Sequence, residues 1–107
     1  MEEQAAAFPP PSEESWKAFE GYLSGSLLGA QIERVVDEQG QRAERFGFRV
    51  ELGNEVHAVR VTHEFWRDIK APHIRTALSV IRLADEIRDH GNVTIVMEVG
   101  TPKIRSG

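Results

Sequence analysis

Arginine is the side chain best shaped to hold a carboxylate or a phosphate, because its planar guanidinium presents a fork of donors. Three arginines, Arg45, Arg49 and Arg60, stand in one stretch, RFGFRVELGNEVHAVRV. Apolar and polar residues alternate there on both sides of Gly53-Asn54. A two-residue turn at that pair sets Leu52 opposite Glu55, Val50 opposite His57, Phe48 opposite Val59 and Phe46 opposite Val61. Those residues share one sheet face, since side chains alternate with period two. Arg45, Arg49, Glu51, Ala58 and Arg60 then share the other. Arg60 lies opposite Gly47 and diagonal to both Arg45 and Arg49, so three guanidinium groups surround a glycine floor. Glu33 and Glu51 are the available counter-charges. The patch is therefore either a solvated face neutralised by its own glutamates, or a shallow site for an anionic small molecule or an acidic protein segment.

Other chemistry is thinner. His63-Glu64 begins like the zinc-protease pattern HExxH, but Arg67 stands where the second histidine is required. His57 and His63 lie about 20 Å apart along one strand, too far to share a metal. His63, Glu64 and His73 could meet only if the linker between them folds back, and no metal site or cofactor is expected. There is no phosphate loop, no GxGxxG, no GxSxG and no pair of carboxylates placed for acid–base work. The expectation is a module without intrinsic catalysis.

Composition narrows the class. The chain has 107 residues, enough for one domain with its own core. It has no cysteine, which excludes disulfides and thiol chemistry. With 13 basic and 17 acidic residues the net charge is -4. That balance disfavours nucleic acid and anionic membranes as partners. No apolar run approaches the ~20 residues of a membrane span, and the acidic, proline-rich start is unlike a signal peptide. A cytoplasmic protein is expected.

The elements that must position the arginines follow from pattern. Residues 1–11 read as a flexible proline-rich arm, 12–100 as a single domain and 101–107 as a C-terminal tail. Ser12 caps a helix from Glu13 to about Ser24, with Trp16, Phe19 and Leu23 on its apolar side. An upstream strand joins the hairpin through a three-residue loop at Glu38-Gln39-Gly40, which sets Asp37 opposite Gln41, Ile32 opposite Phe46 and Glu33 opposite Arg45. Leu28, Ala30, Ile32 and Val36 then face the core, with Arg34 the exception. Thr62 opens a short helix to Ile69. A long helix runs from Pro72 to His90 and ends at Gly91. Val93 to Val99 reads as a buried strand.

The fold class expected is α+β, a mostly antiparallel sheet of about four strands with helices on one face, in the order α-β-β-β-α-α-β. The start of that order is shared with double-stranded-RNA-binding domains. Their second helix opens with a lysine cluster, however, where this chain has Ala71-Pro72-His73-Ile74-Arg75, so the order alone carries no function. The long helix is apolar over half its circumference or more. Leu78, Val80, Leu83 and Ile87 are thus candidates for a homodimer interface. The functional expectation is a small protein-interaction module that recognises an anionic or acidic partner through the arginine face. The alternatives are an anion- or small-molecule-binding domain with enzymatic activity, and an RNA-binding module.

Overall fold

A computed structural model of the chain describes residues 10–36 and 46–106. The expected three-residue loop at 38–40 lies outside them. The described residues form helix α1 (Glu13–Ser26), strands β1 (Gln31–Val36), β2 (Phe46–Leu52) and β3 (Glu55–Val61), helices α2 (His63–Asp68), α3 (Ala71–Val80) and α4 (Leu83–His90), and strands β4 (Val93–Glu98) and β5 (Thr101–Ser106). The protein is α+β, with one mixed sheet in the order β1-β2-β3-β4-β5. Neighbours are antiparallel except β3 and β4, which run parallel. Parallel neighbours need a long crossover, and the three helices α2, α3 and α4 supply it.

The β2–β3 register is the one the alternation predicts. Phe48 pairs with Val59, Gly47 with Arg60 and Arg49 with Ala58. Gly53 takes a φ of +65° at the first turn position, where a side chain would be strained. The buried sheet side chains are Phe46, Phe48, Val50, Val59, Val61, Val93 and Ile95, all of one parity. The described helices therefore pack on that face. Trp16, Phe19 and Leu23 of α1, Phe65 and Trp66 of α2, Ile74 and Leu78 of α3, and Leu83 and Ile87 of α4 complete the core. Ser12 accepts a hydrogen bond from the Ser15 amide and caps α1.

Several expectations need correction. Ile32 faces Val50, not Phe46, and Glu33 faces Arg49, not Arg45. The slip is of four residues, an even number, so each side chain keeps its expected face. Leu28 and Val36, expected in the core, are exposed. The segment read as a tail from 101 is strand β5, paired with β4 through the two-residue turn Val99-Gly100, which gives a fifth strand.

The long helix is two helices. It breaks at Ile81-Arg82, where Arg82 adopts left-handed backbone with φ 59° and ψ 47°. In an unbroken helix Leu78 and Leu83 would point about 140° apart, so one sheet could not cover both. The break turns α4 so that Leu78, Leu83 and Ile87 are all at 0% exposure. Tyr22 completes the new helix start, its hydroxyl accepting from the Ala84 amide at 3.0 Å.

Candidate functional site

The sheet face away from the helices carries the arginines. Register places its side chains in rows across the strands. One row runs Val35, Gly47, Arg60, Thr94 and Arg105. The next runs Glu33, Arg49 and Ala58, with Asn92 beside Ala58 and its side-chain oxygen accepting from the Ala58 amide at 2.8 Å. Gly47 and Ala58 are thus diagonal neighbours at the centre of the face, and Arg49 and Arg60 occupy the other diagonal.

Two small residues side by side leave a dent. A hollow of about 300 Å³ opens there, bordered by Val35, Val56, Arg49, Arg60 and Asn92. Val35 and Val56 remain 37% and 47% exposed, so the hollow has apolar shoulders open to solvent. Gly47 has a structural reason to lack a side chain. A Cβ there would stand 2.4 Å from the Val59 carbonyl oxygen, closer than any real contact.

The arginines differ in what holds them. Arg49 Nη1 donates to Glu33 Oε1 at 3.0 Å, an exposed ion pair across β1 and β2. Glu33, expected beside Arg45, thus serves Arg49 instead, because of the four-residue slip. Arg45 lies outside the described residues. Arg60 and Arg105 are exposed, and among the described residues neither has an ion-pair or hydrogen-bond partner. Arg105 was missed in the sequence because its segment read as a tail. The signal present was the alternation of Lys103, Ile104 and Arg105. Lys103 on the same face is held by Glu98 at 3.4 Å.

The remaining candidates are placed differently. Leu78, Leu83 and Ile87 sit inside the chain's own core, and of the expected interface ridge only Val80 is exposed, at 73%. His57 is on the helix side of the sheet, its Nε2 3.4 Å from Glu55. His90 lies 3.5 Å from Glu86. No group of three histidine, cysteine or acidic side chains converges among the described residues. A second hollow of about 420 Å³ lies between Pro10–Ser12 and α2. Its cations are already engaged: Arg67 donates to Asp68 at 2.7 Å, and Lys70 to the Arg67 carbonyl.

Arg34 is the one charged side chain on the helix face of β1. It is bidentate to Glu13 and to Glu20 of α1, with four contacts between 2.7 and 3.0 Å, and lies over the Trp16 ring. These bonds hold the Glu13 carboxyl below its ordinary range. Arg34 is thus committed to α1, and it faces the helices, away from Arg49, Arg60 and Arg105. No described helix is long and apolar enough to cross a membrane. Comparison with protein-family models, with curated proteins and with solved structures gives no match.

Proposed function

We propose that this chain is a protein-interaction module whose open sheet face receives an acidic partner, with Arg60 and Arg105 as the recognising pair and Arg49 beside them. The observation that carries the reading is the row Arg60–Thr94–Arg105. Two exposed arginines flank a threonine there, without carboxylate partners among the described residues. Strands are about 4.8 Å apart, so the two Cα atoms stand roughly 10 Å apart and long side chains can converge above Thr94. The described open face holds Arg49, Arg60, Lys103 and Arg105 against Glu33, Glu51 and Glu98, whereas the chain as a whole is acidic at -4. A cationic face on an acidic protein steers acidic partners toward that face and away from the rest.

The test is a thermal-shift and titration series with phosphate, citrate and a short acidic peptide, on wild type and on Arg60→Gln/Arg105→Gln. Acidic peptide should raise the wild-type melting temperature and bind at least tenfold more weakly to the double variant, about one charge-assisted contact in affinity. The unliganded variant should melt within about a degree of wild type, because exposed substitutions cost little. Equal binding by both proteins, or none by either, overturns the reading. Binding of citrate or phosphate but not of peptide would favour a small-molecule anion site on the same residues.

A further inference from the structure

The arginine row and the dent adjoin, and together they specify more than negative charge. We infer that the face takes an extended polypeptide segment carrying an acidic residue and an apolar residue two positions apart, the carboxylate over Arg60 and Arg105 and the apolar side chain in the hollow between Gly47 and Ala58. This rests on the reading above and adds the apolar half of the ligand.

The spacing argues for it. The gap over Thr94 lies one and a half strands and half a row from the midpoint of Gly47 and Ala58. At about 4.8 Å per strand and about 3.3 Å per residue that is roughly 7–8 Å. Side chains two apart on an extended chain project from one side at nearly the same interval, about 6.7 Å. Adjacent residues would project to opposite sides. The volume agrees as well. A hollow of about 300 Å³ is far larger than a carboxylate, and its shoulders Val35 and Val56 offer only apolar contact. A ligand that was purely anionic would leave those valines uncovered. An acidic residue with an apolar neighbour two positions away covers both.

The hollow can be filled without touching the charges. Ala58 is half-buried, pairs with Arg49 and points out of the helix-covered face. Ala58→Met would occupy the dent while leaving Arg49, Arg60 and Arg105 in place. The experiment measures binding of fluorescein-labelled ten-residue peptides by anisotropy, one with Glu-Ser-Leu at its centre and one with Glu-Ser-Ser. A third carries Glu-Leu-Ser, the same composition as the first with the apolar residue adjacent. Wild type should bind Glu-Ser-Leu about tenfold more tightly than either control, the scale expected for one desolvated leucine. Ala58→Met should remove that preference and keep the weak binding of Glu-Ser-Ser. If the three peptides bind wild type equally, or if Ala58→Met keeps the preference, the apolar half of the inference is overturned and charge recognition stands. If none binds, the reading beneath it fails too. Circular dichroism identifies any loss due to misfolding, and Ala58→Val, with a smaller filling, then replaces the methionine variant.

Discussion

Val99 and Gly100 join β4 to β5 with φ of +53° and +76°. Both central residues of such a two-residue turn must be left-handed, a conformation that asparagine and glycine tolerate and a β-branched residue does not. Val99 is fully exposed, so no packing offsets the strain. Val99→Asn should therefore stabilise the fold, by about 0.5–1 kcal/mol in a urea melt. A loss of stability would show that the valine makes a contact there. At this scale the sequence was legible where a residue's task is local. Gly53 could be assigned to a turn because glycine is what that turn needs. Gly47 stood out as a gap on the arginine face, but its close approach to the Val59 carbonyl is a property of two strands. Arg105 could not be assigned because its turn, Val-Gly, gives no ordinary turn signal.

The second half of the chain shows what elements add. Apolar periodicity from Pro72 to His90 identifies helix but cannot say that it is interrupted. The surplus of apolar residues around its circumference was the only trace of the break. Once Arg82 turns the chain, Leu78, Leu83 and Ile87 are consumed by the core and only Val80 of that ridge stays at the surface. Leu83→Glu should therefore unfold the protein, costing at least 3–5 kcal/mol for an unpaired carboxylate in an apolar site. Light scattering and circular dichroism together check this. A folded variant of halved mass would instead restore the expectation of a dimer through this ridge. The β1 register failed for a related reason. Gly40 advertised a turn that would set Ile32 opposite Phe46, but the described pairing sets Ile32 opposite Val50. Register is decided by where the strands find their best pairing, and parity alone is satisfied by any even slip.

Among the described residues, the two layers are joined by packing, by the Trp66 indole donating to the Phe46 carbonyl, and by an ionic clamp, Arg34 with Glu13 and Glu20. The clamp imposes a pH dependence whose sign follows from Glu13. Its carboxyl titrates below the ordinary value of 4.5 in the folded protein, because it accepts from Arg34. The stabilisation it gives is complete above that ordinary value and is lost as pH falls through the lower, folded one. Glu13→Gln should thus lower the urea midpoint modestly at pH 7, and the gap to wild type should close as pH falls through the folded value, below the ordinary 4.5. A gap that persists in acid would assign the effect to packing. Glu13 is exposed, and screening keeps the effect small. The helices cover one face of the sheet, and Arg49, Arg60 and Arg105 stand exposed on the other.

By itself the sequence determined the fold class, the β2–β3 register, the face of every residue in that hairpin and the neighbourhood of Arg60 with Gly47 and Arg49. These follow from period-two and helical patterns, which record local geometry and solvent contact. Tertiary structure decided that β4 runs parallel beside β3, that β5 follows it, and hence that Arg105 stands across Thr94 from Arg60. It also decided that Glu33 belongs to Arg49 and that Leu78, Leu83 and Ile87 are spent on the core. Those facts depend on which distant segments pair, and the energy that selects one pairing over another comes from summed burial across the molecule, which no single stretch of residues records.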